Sequence, residues 1–277
     1  MEAKLSPEQV EQYREAGWLS PVPLLSAEEA AEARSKLEAY EATLGHPIDG
    51  GQRSKSHLLF RWIDDIMRNP GLLDTLEELI GPNILCWNTI LWIKEAQSPT
   101  YVGWHQDLTY WGLDNDELVT VWVALSTASE ASGCMSVIPG SHRLLLDHDE
   151  TWNEDNLLTR GQELAIDPAE HPIVAMPLEP GQASFHNVRS AHGSGPNTTD
   201  DRRIGLSMHF MPTHTRQQLA DWDSAALVRG QDEYGHFAHC PQPERDFDPV
   251  AVEFHQRAQD AIRKIVYAGT EPETTTL

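Results

Sequence analysis

The chain reads as a mainly β protein, a sandwich or barrel with helices at its flanks. Two observations carry that reading. From Ile84 onward, short runs rich in Trp, Ile, Val and Leu recur between Gly/Pro turns. Before them stand two helix-start signatures and long Ala/Glu-rich stretches without strand alternation.

The first signature is Ser6-Pro7-Glu8-Gln9, with an N-cap, a proline at N1 and a glutamine at N3. The second is Ser26-Ala27-Glu28-Glu29, opening a helix to about Leu44. Arg61–Met67 and Pro70–Ile80 read as two short helices, the latter stopped by Gly81-Pro82-Asn83. Expected strands follow at Ile84–Lys94, Val119–Ser126, Cys134–Ile138, Ile173–Met176, Gln182–His186 and Ile204–Met211. Asp147–Asn156 and Ala165–His171 are acidic and polar, and read as an insertion that could serve as a lid. Asp248-Pro249 starts a last amphipathic helix with Val250, Phe254, Ala258, Ala261, Ile262 and Ile265 on roughly one face. Gly269 ends it, and Glu271–Leu277 reads as frayed. The organisation expected is one domain over 1–277: helical flank 1–80, β core 81–213 with an insertion at 145–172, and a C-terminal cover with a helix, 214–277.

Composition bounds the function. A 40% hydrophobic fraction supports a sizeable core. No stretch approaches the roughly 20 apolar residues that span a bilayer. The hydrophilic Met1–Ser6 lacks the apolar region of a secretory signal, so a cytoplasmic protein is expected. Cys86, Cys134 and Cys240 are scattered, without a disulfide or zinc pattern. The net charge of −23 argues against nucleic acid, anionic membrane or another polyanion as partner. A basic pocket inside the acidic shell stays open. The partner expected is a small-molecule substrate, with the chain a monomer or homodimer.

One constellation carries chemistry. On a strand, His105 and Asp107 point the same way. With His192 they make two imidazoles and a carboxylate, the facial set that holds non-haem Fe(II) with positions open. Trp104, Tyr110 and Trp111 surround the pair, as befits a dry pocket. A second such triplet, His148-Asp149-Glu150, sits in a charged stretch and reads as a solvated loop. His186 would share a face with His192 if the strand were unbroken. His186 and His209 read as pocket-wall or core histidines. Arg203, Gly205, Ser207 and His209 share one strand face, and an arginine fork there can bind a carboxylate. Arg202 points the other way, to the surface.

Four segments then carry a resemblance: Gly81-Pro82-Asn83-Ile84, Trp104-His105-Gln106-Asp107, Gly133-Cys134-Met135 with Pro139-Gly140-Ser141-His142, and His192-Gly193-Ser194-Gly195-Pro196-Asn197 leading to Arg203. Together, from about Lys55 to Pro212, they resemble the phytanoyl-CoA dioxygenase family of Fe(II)- and 2-oxoglutarate-dependent oxygenases. The resemblance implies a double-stranded β-helix, a cupin-like jelly roll. It implies Fe(II) on His105, Asp107 and His192, and 2-oxoglutarate held by Arg203 and Ser194. Gln106 and Trp122, and more loosely Lys55 (or His57) and Ile90, would line the co-substrate pocket. O2 would be the oxidant, with succinate and CO2 released. Halogenating relatives replace the carboxylate with a small residue; Asp107 is retained, so hydroxylation is the expected outcome. Desaturation, ring closure and epimerisation depend on substrate pose. Candidate substrate contacts are Tyr110, Trp111, His209 and Arg229, the last in a C-terminal stretch that would fold over the mouth. Trp111 and other aromatics could form a cage for a cationic headgroup. No basic cluster suits the phosphates of an acyl-CoA. The rival readings are a non-catalytic metal-binding β-sandwich or ligand sensor, and a zinc hydrolase; the latter lacks HExxH.

Overall fold

The computed structural model describes residues 5–269. The frayed tail expected at Glu271–Leu277, and most of the Met1–Ser6 stretch, lie outside the described residues. Helices come first: α1 (Pro7–Ala16), α2 (Ala27–Leu44), α3 (Gly50–Arg53), α4 (Arg61–Met67) and α5 (Pro70–Ile80). Both expected capping boxes are formed. Ser6 Oγ accepts from the Gln9 N–H while the Gln9 side chain accepts from the Ser6 N–H, and Ser26 and Glu29 repeat the exchange.

The first strand, β1 (Trp18–Pro23), interrupts the expected helical flank. The others are β2 (Ile84–Lys94), β3 (Val102–His105), β4 (Val119–Ala124), β5 (Met135–Val137), β6 (His148–Glu150), β7 (Gln162–Leu164) and β8 (Val174–Met176). They continue with β9 (Gln182–Asn187), β10 (His192–Ser194), β11 (Arg203–Pro212), β12 (Ser224–Arg229) and β13 (Ala238–His239). A short helix, α6 (Leu108–Trp111), follows β3, and α7 (Pro249–Val266) closes the described chain.

The strands form a seven-stranded sheet in the order β1-β9-β4-β11-β2-β12-β13 and a four-stranded sheet in the order β3-β10-β5-β8. The result is a double-stranded β-helix with helices packed on one side. Strand β11 shows how the sequence builds it. Ile204, Leu206, Met208 and Phe210 join Leu37, Phe60, Ile63 and Leu72 in the main core between the large sheet and the helices. Each such side chain, fully buried, contributes about 1.5–3 kcal/mol. The intervening Arg203, Ser207 and His209 line a cavity on the opposite face. Register across that face is fixed by the ladders. Ser207 lies between Ile90 and Trp122, His209 lies between Asn88 and Thr120, and Thr120 lies opposite His186.

Two expectations need correction here. His148-Asp149-Glu150 is a strand: β6 pairs with β7, so the insertion is a hairpin rather than an open loop. The face α7 buries is centred on Ala251, His255, Ala258, Ile262 and Ile265, while Val250 is exposed. Asp248 caps this helix as expected, with its carboxylate accepting from the Val250 N–H at 2.9 Å.

Candidate metal centre

The small sheet brings the two distant histidines together. His192 on β10 pairs directly with His105 at the end of β3, and their ring centroids are 4.2 Å apart. Asp107 joins them by a route other than strand alternation. The strand ends at His105, and Asp107 has helical dihedrals (φ −59°, ψ −45°) at the entrance to α6. The turn aims its carboxylate back at the histidines. Asp107 Oδ1 lies 3.3 Å from His105 Nε2 and 4.0 Å from His192 Nε2. One ligand atom from each of the three residues falls within 4.8 Å of the others, and all three side chains are buried.

The hydrogen bonds suit this set to a cation. His105 Nδ1 is 2.8 Å from the Gly103 carbonyl and His192 Nδ1 is 2.9 Å from the Ser190 carbonyl. A carbonyl can only accept, so each Nδ1 carries the proton and each Nε2 presents a lone pair. Thr120 Oγ1 donates to Asp107 Oδ2 at 3.0 Å, leaving Oδ1 on the histidine side. Burial, then His105 and His186, pushes His192 well below the usual imidazole value, so it is neutral. Burial works to raise the Asp107 carboxyl, but His192, His105 and His186 together hold it well below the carboxylate range. A carboxylate beside two imidazoles that turn Nε2 toward it fits a divalent metal. His186 stands against this group, with Nε2 3.6 Å from Asp107 Oδ2 and no hydrogen-bond partner on either ring nitrogen.

A cavity of about 670 Å³ opens over the triad. At one end lies Arg203, 3% exposed, with Nε and Nη2 lacking any partner. Burial pushes it down to about 10. Its guanidinium carbon sits 5.2 Å from the centre of the Trp122 ring. Gly205 makes this possible: a Cβ there would stand 1.8 Å from Trp122 Cζ2. The indole lies where a side chain would otherwise rise from the sheet. A buried guanidinium with idle donors is costly without an anion. Ser194 lines the same cavity, and its Oγ accepts from Lys94 Nζ at 2.7 Å, which leaves the hydroxyl hydrogen free to donate.

Beside the triad, one hydrogen-bond chain holds the His209 ring. The Trp92 indole N–H donates to Ser207 Oγ at 2.9 Å, and Ser207 Oγ is 3.1 Å from His209 Nε2. Ser207 thus joins Trp92 and His209 Nε2 in one chain, while His209 Nδ1 has no hydrogen-bond partner. Burial pushes His209 down to about 4 and keeps it neutral. Trp111 stacks on its ring, with centroids 4.3 Å apart at 15°.

Of the residues singled out by sequence, Trp122, Ile90, Tyr110, Trp111, His209, Ser194 and Arg203 line the cavity with the triad. Three others lie elsewhere. Gln106 is fully buried away from it: its amide nitrogen donates to the Leu144 and Arg189 carbonyls (2.7 and 2.5 Å) and its oxygen accepts from the Leu146 N–H (2.8 Å). It holds the chain after β5 in place. Lys55 is buried beneath β2, donating to the carbonyls of Trp87 and Ser224 (the latter at 2.6 Å), with Asp223 at 4.0 Å. The rival His57 bonds to Thr89 Oγ1. Arg229 is paired at the surface with Asp74 and Glu77 on α5. The element over the mouth is α7, through Gln259, Ile262, Arg263 and Tyr267. Arg53 and Ser54 at the end of α3, with Leu157–Thr159 and Gln162 of the hairpin, complete the wall. The sequence reading missed these. The available signal was His255, Gln259 and Arg263, a polar stripe at four-residue spacing beside the apolar face of α7.

A family model for phytanoyl-CoA dioxygenase (PhyH) matches residues 2–205. The probable alpha-ketoglutarate-dependent hypophosphite dioxygenase of Stutzerimonas stutzeri is 31% identical over 224 residues, 73% of this chain and 77% of that protein. The human peroxisomal phytanoyl-CoA dioxygenase is 31% identical over 146 residues, 51% of this chain and 43% of that one. Among solved structures, the non-haem monooxygenase ThoJ in its apo form superposes with a TM-score of 0.81 at 34% identity, covering 93% of this chain and 97% of its own. CytC3 with Fe(II) and alpha-ketoglutarate shares the fold, with a TM-score of 0.65 at 22% identity over 89% of this chain and 98% of its own. With the triad, the buried arginine and the jelly roll in place, the chain belongs to the phytanoyl-CoA dioxygenase family and is an Fe(II)- and 2-oxoglutarate-dependent oxygenase.

Proposed function

We propose that His105, Asp107 and His192 hold the Fe(II), that Arg203 and Ser194 take the far carboxylate of 2-oxoglutarate, and that the reaction is hydroxylation of an organic small molecule. The observation that carries this is Arg203, a buried guanidinium with two partnerless nitrogens in the same cavity as the converged triad. When bound, Fe(II) with 2-oxoglutarate supplies dioxygen activation: the co-substrate leaves as succinate and CO2, and one oxygen atom enters a substrate C–H bond.

The protein's part is positioning and exclusion of water. The Gly103 and Ser190 carbonyls hold each imidazole in one tautomer and orientation. Thr120 holds one oxygen of Asp107, which fixes the carboxylate plane. Trp87, Trp92, Trp111 and Trp122 wall the cavity and keep bulk water from the reacting carbon. Retention of Asp107 leaves no vacant carboxylate position for a halide, which supports hydroxylation. At about 670 Å³ the cavity exceeds the needs of an inorganic anion and falls in the range for organic ligands. No helix among the described residues is long and apolar enough to cross a membrane. Three free cysteines suit a reducing compartment, and we place the enzyme in the cytoplasm as a monomer or homodimer.

Anaerobic addition of 2-oxoglutarate to the Fe(II) protein is expected to produce a visible metal-to-ligand charge-transfer band, which Arg203→Gln weakens by raising the co-substrate concentration required. Wild-type protein that gives no band and releases no succinate in air would sink the reading.

A further inference from the structure

We propose that the mouth of the cavity holds an anionic group of the substrate, a carboxylate or phosphonate, between Arg53 and Arg263. This rests on the oxygenase reading, because it needs a substrate seated in this cavity.

The chain carries 43 acidic and 20 basic residues. The cavity lining reverses that balance, with Arg53, Arg203 and Arg263 against Asp49 and Asp107. Asp107 belongs to the triad and Arg203 to the co-substrate end. Asp49 caps α3, its carboxylate accepting from the Gln52 N–H at 3.0 Å. That leaves two arginines against the single Asp49 carboxylate. Elsewhere among the described residues Arg34, Arg61, Arg68, Arg160, Arg189, Arg202 and Arg229 each pair with a carboxylate, while Arg14, Arg143, Arg216, Arg245 and Arg257, none of which lines this cavity, do not. Arg53 and Arg263 form no ion pair among the described residues. Of the carboxylates that act on Arg53 at longer range, Glu41 and Glu95 are both tied to Arg202, and Asp49 shares the cavity wall with it.

The two arginines flank one seam. Gln259 Nε2 donates to the Ser54 carbonyl at 2.5 Å, and His255 Nε2 lies 3.0 Å from the same oxygen, so α7 is docked beside the residue after Arg53. Arg263 is one helical turn beyond Gln259 on the same face. Arg53 uses Nε on the Ile48 carbonyl at 3.0 Å, leaving its terminal nitrogens to the cavity. Two guanidinium forks at one opening suit an oxyanion, which each can bind bidentately. A cationic headgroup would meet both positive charges. One face of Trp111 is covered by His209, which reduces the aromatic surface a cation could use. Deeper in, His209 Nδ1 is a further polar atom without a partner.

The test uses the four cavity tryptophans as reporters. Protein loaded anaerobically with Fe(II) and 2-oxoglutarate is titrated with benzoate and phenylphosphonate, and with benzylamine and benzyl alcohol as controls of the same skeleton. Saturable quenching by the anions alone is expected. Arg53→Gln and Arg263→Gln should each raise the Kd about tenfold or more, Arg263→Lys by less, and Arg263→Glu should transfer preference to benzylamine. Absence of saturable quenching by either anion, equal binding of the controls, or a Kd within about twofold of wild type in Arg263→Gln would overturn the clamp. Arg263 is exposed on α7, so its variant tests the idea even if Arg53→Gln, which loses the bond to Ile48, fails to fold. The charge-transfer band is read in the same wild-type sample. A missing band defeats the oxygenase reading; a band without anion preference defeats the clamp alone.

Discussion

The two ends of the cavity are built differently. At the triad end every candidate ligand sits on or next to a strand in fixed register, and both histidine Nδ1 protons and one Asp107 oxygen already have partners. At the mouth the wall comes from the tip of α3, the β6–β7 hairpin and α7, and its two arginines keep nitrogens uncommitted. The first end is preorganised for one reaction class; the second is assembled from appended segments that can vary while the sheets stay the same. On the proposed assignment, reaction class and substrate choice reside in separate parts of the architecture.

That division can be tested from the metal end outward. Asp107→Ala should abolish succinate release and product formation together, and turnover at the wild-type rate would show that the three-residue set is not the reacting centre. Thr120→Val, which removes only the hydroxyl on Asp107 Oδ2, should weaken Fe(II) binding by about 10–100-fold, as loss of a ligand's hydrogen-bond partner typically does, measured by anaerobic iron titration. Gly205→Ala should displace the Trp122 indole and the guanidinium over it. A rise in the KM for 2-oxoglutarate is expected, with about 1–3 kcal/mol lost from overpacking, seen in denaturant unfolding. The smallest effect concerns pH. Burial pushes His148 down to about 4, from 6.5, and its Nε2 accepts the Gln106 N–H at 2.9 Å. The unfolded chain therefore takes up this proton first as pH falls. The stability is present in full above pH 6.5 and is lost as the pH drops towards 4. The melting temperature of the metal-free protein should fall across that window, and His148→Gln, which keeps an acceptor and does not titrate, should flatten part of the fall.

Much of the metal end was readable before any coordinates, because alternation and register are local rules. Arg203, Ser207 and His209 facing one way and Ile204, Leu206 and Met208 the other is the period-2 pattern made solid. Asp107 reached the triad although the strand stops at His105, since a helical turn also returns a side chain to the same side. Alternation alone would have sent Gln106 away from its neighbours; placing it in the pocket followed from the resemblance instead, and its three backbone bonds show the local rule prevailing. Strand β1 was hidden by Pro21 and Pro23, which a central strand excludes but an edge strand such as this tolerates. The mouth was unreadable for a different reason. Arg53 and Arg263 are 210 positions apart and come to one cavity only through tertiary docking of α7 on Ser54, which no local periodicity encodes.

Gly205 has one more consequence. Since the indole of Trp122 lies flush against the ladder and Arg203 rests on it, the far charge-binding point cannot swing freely. The near point hangs from Thr120, opposite His209 on the same strand pair that sets Gly205 opposite Ala124. If Arg203 and the triad hold the two ends of the oxo acid as proposed, backbone spacing gauges its length. An analogue one methylene shorter or longer than 2-oxoglutarate can satisfy only one end, a misfit worth on the order of 10–200-fold.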